Sequence, residues 1–293
     1  MKESKHYDVV VVGGGSGGIA VAASLLKRDA GLSLAIVDPA DKHFYQPGWT
    51  MVGSGIFDPE STCRALSSVI PKNATWIKKA VAGFDPLNNC VELDDGSVVG
   101  YDRMVVSPGL KLNWGAVEGL KDTLGMNGVT SNYSYETARY TWELVQNLKK
   151  GKALFTQPPM PIKCAGAPQK AMYLSADYWS RQGVINNIDI QFNTATPGLF
   201  GVAEYVPALM EYVKKYDATL NFQNNLVKID GEKKIATFET SDGATTDTDF
   251  DMIHVCPPQC APDFIRQSPL VDAAGWIDVD QATLQHKKFA NIW

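Results

Sequence analysis

Four consecutive valines, Val9 to Val12, run straight into Gly13-Gly14-Gly15-Ser16-Gly17-Gly18, and this junction limits the possible folds more than any other stretch. An unbroken β-branched run suits a strand buried on both faces, as in a parallel sheet. An alanine-rich helical segment follows from Ile19 to Arg28. Leu34-Ala35-Ile36-Val37 then reads as a second buried strand ending at Asp38, some twenty residues past the last glycine of a G-x-G-x-x-G pattern. The whole is a βαβ unit with a dinucleotide-binding fingerprint. The uncharged run Val9 to Leu26 has the length of a membrane span, but a glycine cluster makes a poor helix, and strand, turn and helix account for the same residues.

Each position has a physical job. Gly13 permits the tight turn, Gly15 lets the backbone approach a pyrophosphate, and Gly18 lets helix and strand pack closely. The helix N-terminus then presents free N–H groups to the phosphates. Asp38 is placed to accept hydrogen bonds from the ribose hydroxyls of an adenosine, and an acid there disfavours a 2′-phosphate.

A chain of 293 residues suggests about two domains, and 45% hydrophobic with 20% charged residues describes an ordinary globular protein. The net charge of -5 and pI near 5.4 argue against nucleic acid as a partner, and no basic run suggests one. Five scattered cysteines form neither a disulfide framework nor a zinc pattern, so no metal is expected. Met1 to His6 is too short and polar for a signal peptide, so no address is expected from this sequence.

Beyond Asp38, His43-Phe44-Tyr45-Gln46-Pro47-Gly48-Trp49 is aromatic and proline-broken, and no regular element is expected there. It is either a plug at a domain edge or a loop over a flat ring, and the Gln46 amide can pair with a ring edge. Trp76 to Val81 reads as a short strand. Val91 to Tyr101 reads as a hairpin turned at Asp94-Asp95-Gly96. Tyr101 to Val106 forms a buried strand that ends in Ser107-Pro108-Gly109. Such a meander, feeding a strand with a small-x-Gly turn, resembles the second signature of two-dinucleotide flavoproteins, whose usual ending is Ala-Thr-Gly.

A second strand, helix, strand unit follows a helix from Tyr135 to Lys149 capped by Ser134. Its parts are Ala153 to Phe155, a helix from about Pro168 to Gln182, and Asp189 to Phe192. The connecting turn, Pro158 to Pro168, holds a single glycine, which argues against a nicotinamide site there. It holds Cys164 instead, flanked by Lys163 and a helix start, with Lys170 nearby. A positive helix end and lysines favour the nucleophilic thiolate; the alternative is a buried structural cysteine. Cys63 and Cys90 read as structural. Cys256 and Cys260 flank Pro257-Pro258-Gln259 and are either free thiols or a strained disulfide. His254 lies in an apolar strand and reads as a core histidine. Gly275 to Asp280 and Phe289 to Trp293 read as the approach to a further strand of the first domain.

The Gly13 to Gly18 loop, His43-Phe44-Tyr45-Gln46-Pro47, Lys163-Cys164-Ala165-Gly166-Ala167-Pro168-Gln169-Lys170 and Asp272-Ala273-Ala274-Gly275-Trp276-Ile277-Asp278-Val279-Asp280 together resemble the sulfide:quinone oxidoreductases, in the branch that includes the mitochondrial enzymes. The resemblance runs over essentially the whole chain. It implies an α/β fold of the flavoprotein disulfide-reductase superfamily: two Rossmann-like dinucleotide-binding-type domains, three-layer ββα with a β-meander. An FAD-binding domain is expected over 1–112, with 262–293 returning to it incomplete, and a second Rossmann-like domain carrying the redox cysteine over 113–261.

The resemblance also implies FAD held by Gly13, Gly15, Ser16, Gly17 and Gly18 at the pyrophosphate and by Asp38 at the ribose. Gln46 would lie near the ring or ribityl chain, the Val81 backbone at the adenine, and Ser107 and Gly109 in the second signature. In such proteins sulfide attacks a disulfide between two redox cysteines. One becomes a persulfide, two electrons pass to FAD and then to quinone, and the sulfur leaves to glutathione, sulfite or further sulfide. Cys164 matches the first redox cysteine. Its partner, a Gly-Asp flavin contact, the quinone pocket and amphipathic helices that meet the bilayer surface lie, in the family, beyond Trp293. The setting implied is a peripheral, monotopic protein of the mitochondrial or bacterial inner membrane. Two other readings stay open: a type II NADH:quinone dehydrogenase, opposed by the missing second glycine loop, and a non-catalytic FAD-binding fragment.

Overall fold

A computed structural model describes residues 5–293. The chain divides into two compact units. One comprises the described residues through Tyr45 together with Cys63–Lys111 and Cys260–Trp293; the other comprises Gln46–Thr62 and Leu112–Gln259.

In the first unit the Lys5–Val12 strand is central, paired in parallel with Leu34–Val37 on one side and Val98–Val106 on the other. Ala74–Ile77 extends the sheet beyond Leu34–Val37, while Cys90–Leu93 and Val81–Asp85 continue it antiparallel from Val98–Val106. Successive strand residues point to opposite faces. Val9 and Val11 pack with Ala22 and Leu26 of the Ser16–Arg28 helix. Val10 and Val12 pack with Val81, Val91 and Leu93, so the meander covers the face opposite the helix. Burying each such valine contributes about 1.5 kcal/mol or more, which favours an uninterrupted valine run in a strand covered on both faces.

Local differences from the sequence reading have identifiable causes. Trp76 to Val81 is not one strand; Ala74–Ile77 and Val81–Asp85 are separate, and the Trp76 indole donates to the Asp38 carbonyl at 2.9 Å. The hairpin's second arm and the strand leading to Ser107 form one nine-residue strand, Val98–Val106. The aromatic segment contains regular structure: Lys42–Phe44 pairs antiparallel with Cys63–Ala65, and Gly48–Val52 is a short helix. From Gln46 onward this segment clusters with the second unit rather than the first, because Trp49 packs on Tyr135 at 6.3 Å between ring centroids and Gly53 fits against Asn132.

The second unit has a parallel sheet ordered Val129–Thr130, Met252–His254, Gly151–Gln157, Ile188–Thr194, Thr219–Phe222. The Tyr135–Asn147 helix begins at Ser134, whose hydroxyl accepts from the Glu136 N–H, and the Ala167–Arg181 helix carries Pro168 in its first turn. Trp179 is fully buried, its indole donating to the Val145 carbonyl at 2.8 Å. A three-stranded antiparallel sheet, Asn224–Asp230, Ile235–Thr240 and Thr245–Asp249, completes the unit.

His254 is fully buried and accepts the Asn132 N–H at Nε2, 2.9 Å away. Burial pushes its pKa from 6.5 down to about 4, because charging it would strip the imidazolium of water. The unfolded chain therefore binds the extra proton first. The stability from keeping this ring neutral, up to about 3 kcal/mol, is complete above pH 6.5 and lost as pH falls toward 4. Urea unfolding at pH 7 and pH 4.5 should show that loss, and His254→Gln should flatten it. An equal pH dependence in both proteins would contradict the assignment.

Candidate cofactor loop and redox cysteine

The glycine loop and the Ser107 turn interlock. Gly13 has φ +105°, and a Cβ there would stand 2.4 Å from the Ser107 carbonyl oxygen. A Cβ on Gly18 would stand 1.9 Å from the Gly13 carbonyl oxygen and 2.9 Å from Ser107 Oγ. The Ser107 N–H donates to the Val12 carbonyl at 2.8 Å, tying the second strand end to the first. Gly15 differs: a Cβ there would meet nothing within 4 Å, so its backbone borders open space.

Gly15 caps the Ser16–Arg28 helix without any side-chain bond, and no acidic residue lies in the first turn. The first intrahelical bond is from the Ile19 N–H to the Gly15 carbonyl, which leaves the amides of Ser16, Gly17 and Gly18 for an anion. Asp38 lies against the same loop. Its Oδ2 accepts the Gly14 N–H at 2.6 Å and its Oδ1 accepts the Ala40 N–H at 2.8 Å. A diphosphate with an adjoining ribose fits this donor set: free amides, a helix N-terminus, a cradle without Cβ atoms, and a fixed carboxylate. Gly109, with φ +75° and open space where a Cβ would be, and the buried Val81 on the neighbouring meander strand belong to the same unit. Gln46 and Cys164 belong to the other.

The turn after Gly151–Gln157 is built differently. Its one glycine, Gly166, caps the Ala167–Arg181 helix with φ -84°, and a Cβ there would meet only Phe200, at 3.9 Å. Nothing about this position demands glycine. Cys164 stands two residues before that cap, exposed, with a left-handed φ of 57°. The Ala167 N–H donates to the Cys164 carbonyl at 2.8 Å.

Side chains distant in sequence surround this cysteine. The Tyr133 hydroxyl donates to the Lys163 carbonyl at 3.2 Å and the Cys164 carbonyl at 3.4 Å. The Lys163 N–H donates to Gln259 Oε1 at 2.7 Å. Cys256, 2% exposed, packs with Tyr133 and Ile162, and burial pushes its thiol up to about 12. Burial likewise lowers the Lys163 ammonium, partly offset by Cys256. All five cysteines are free, so Cys256 and Cys260 are thiols rather than a disulfide. The exposed Cys164 and the buried Cys256 thus have opposite surroundings, and only the former is accessible to a small anion. Tyr133 and Gln259 carry no motif; only Gln259, inside the C-x3-C segment, offered a sequence signal.

The fold and the glycine loop define a class, proteins built from Rossmann-like units on parallel sheets, and the sequence model of the Pyridine nucleotide-disulphide oxidoreductase family matches residues 7–140. Mitochondrial sulfide:quinone oxidoreductases of Mus musculus, Dictyostelium discoideum and Schizosaccharomyces pombe are 42%, 44% and 36% identical over 98%, 97% and 99% of this chain. The chain belongs to the sulfide:quinone oxidoreductase family. It spans 64% of the length of the mouse and Dictyostelium proteins and 68% of the fission-yeast protein. The solved sulfide:quinone oxidoreductase of Aquifex aeolicus shares the fold, with a TM-score of 0.84 at 22% identity over 99% of this chain and 67% of that one.

Proposed function

We propose that this protein takes part in FAD-dependent oxidation of sulfide to sulfane sulfur with electron transfer to quinone, and that Cys164 is the sulfur-accepting residue. The observation that carries the reading is the exchange of parts in the second unit. Where a nicotinamide-binding glycine loop would stand there is an exposed cysteine next to Lys163, in a turn with one unconstrained glycine. The family membership and the names of the relatives support it.

In this reading Gly13, Gly15, Ser16, Gly17 and Gly18 hold the FAD diphosphate, Asp38 the ribose, and Ser107 and Gly109 flank the loop. The Val81 backbone serves the adenine, and Gln46 the ring or ribityl side. Bound FAD supplies two-electron acceptance and passes the electrons on to quinone. Cys164 supplies the sulfur chemistry. Hydrosulfide attacks the Cys164 Sγ of a disulfide made with a second redox cysteine, which the family carries beyond position 293; the S–S bond breaks, a persulfide forms on Cys164, and the partner sulfur leaves as a thiolate with the bonding pair, which bound FAD would accept. The outer sulfur then passes to a small nucleophile such as glutathione, sulfite or a second sulfide. Cys256 is unsuited to the sulfur-accepting role, since it is buried away from a small anion and its thiol stays protonated at neutral pH.

No described helix is long and apolar enough to cross a membrane. We place the protein peripherally at an inner membrane, a reading supported by the mitochondrial names of three relatives. Anaerobic addition of sulfide to the FAD-loaded protein should bleach the flavin absorbance, and NADH should not. Bleaching by NADH alone would replace this reading with that of a NADH dehydrogenase. A second expectation concerns Asp38→Ala, which removes a charged acceptor from the ribose and should weaken FAD binding roughly ten- to a hundredfold. Flavin stoichiometry after dialysis measures it, and an unchanged ratio would contradict the ribose assignment.

A further inference from the structure

We propose that Tyr133 is a positioning residue for Cys164: its hydroxyl clamps the Lys163 and Cys164 carbonyls and, with Gln259 on the Lys163 N–H, holds the cysteine backbone left-handed with its side chain exposed. The inference deepens the proposed sulfur-accepting role of Cys164 and rests on it. A non-glycine residue resists φ 57° because its Cβ crowds the carbonyl oxygen, so something outside the residue must maintain that conformation. Of the four hydrogen bonds on the Lys163-Cys164 segment, one is the local bond from the Ala167 N–H; the other three come from Tyr133, 31 residues before the cysteine, and Gln259, 96 residues after Lys163.

Tyr133 suits the task. It is 4% exposed, packed with Ile162 and Cys256, and so cannot swing away without opening an apolar cluster. Burial, with the neighbouring Cys256 and Cys164 sulfurs, holds its phenol far above the usual range, so the hydroxyl keeps its proton and remains a donor at every working pH. The Cys164 carbonyl it meets also accepts the Ala167 N–H, linking the clamp to the first turn of the Ala167–Arg181 helix.

Tyr133→Phe deletes the donor and keeps the packing. Hydrogen–deuterium exchange of the Ala167 amide should become about tenfold faster, because the turn it closes is no longer held. In the FAD-loaded protein kcat for sulfide-dependent flavin reduction should fall about tenfold with KM for sulfide unchanged, since fewer molecules hold the reactive conformation. Tyr216→Phe, the same deletion at a buried tyrosine of this unit whose hydroxyl meets Asp177 and not this turn, should change neither quantity. Exchange at the wild-type rate in Tyr133→Phe, or the same loss from Tyr216→Phe, would overturn the clamp. If Tyr133→Phe does not fold, Gln259→Met carries the test, with faster Ala167 exchange expected and an unchanged rate contradicting it. Failure of sulfide to reduce the wild-type flavin would instead count against the proposed function, and the exchange measurement would still judge the clamp.

Discussion

Cys164→Ser should retain its FAD and lose sulfide-dependent flavin reduction, by on the order of a thousandfold or more. The substitution is nearly isosteric at an exposed position, so neither the Ala167–Arg181 helix nor the Tyr133 contacts to the main chain need change. What disappears is a sulfur able to form a disulfide and then a persulfide; a serine hydroxyl does neither. Neither Cys256 nor Cys90 offers a replacement. Cys256 is buried with its thiol pushed up to about 12, and burial and nearby acids also raise Cys90. Stopped-flow absorbance of the flavin, with protein-bound FAD quantified first, separates loss of chemistry from loss of cofactor. Normal reduction in Cys164→Ser would remove this residue from the mechanism.

The second large effect is steric. Gly18→Ala places a methyl 1.9 Å from the Gly13 carbonyl oxygen, a backbone atom held by the sheet and unable to step aside. Either the Ser16–Arg28 helix moves away from the Lys5–Val12 strand or the glycine loop distorts. The expected cost is about 3 kcal/mol of stability or more, together with near-complete loss of FAD. Gly15→Ala makes the internal comparison. Its methyl enters space with no atom within 4 Å, so folding should be unaffected while FAD binding falls, because that space is where the diphosphate approaches. Urea unfolding and flavin stoichiometry on both variants check this, and equal stability losses would contradict it.

These two sites were legible to different degrees. The glycine loop could be read because its constraints are local: strand, turn, helix and Asp38 lie within one stretch, and the close approaches at Gly13 and Gly18 are what the glycine spacing encodes. Cys164 could be read as a candidate from its immediate neighbours, but its supports could not. Tyr133 follows an unremarkable Ser131-Asn132 pair, and Gln259 sits between prolines and a second cysteine, so no periodicity or spacing joins either to position 164. The aromatic segment failed for a related reason. Proline and aromatic content argue for a loop, whereas a short pairing of Lys42–Phe44 with Cys63–Ala65 and packing of Trp49 on Tyr135 impose order from outside the segment. His254 was legible as a core residue because an apolar strand surrounds it; its hydrogen bond to the Asn132 amide depends on a neighbouring strand end that local sequence does not reveal.

The direct test of a sulfur-accepting Cys164 is mass spectrometry of the peptide that contains it, after the FAD-loaded protein is reduced anaerobically with sulfide and its thiols are alkylated. An additional sulfur atom on Cys164, formed in step with flavin reduction, is the predicted result. A fully reduced flavin beside a Cys164 that carries no added sulfur would contradict the account.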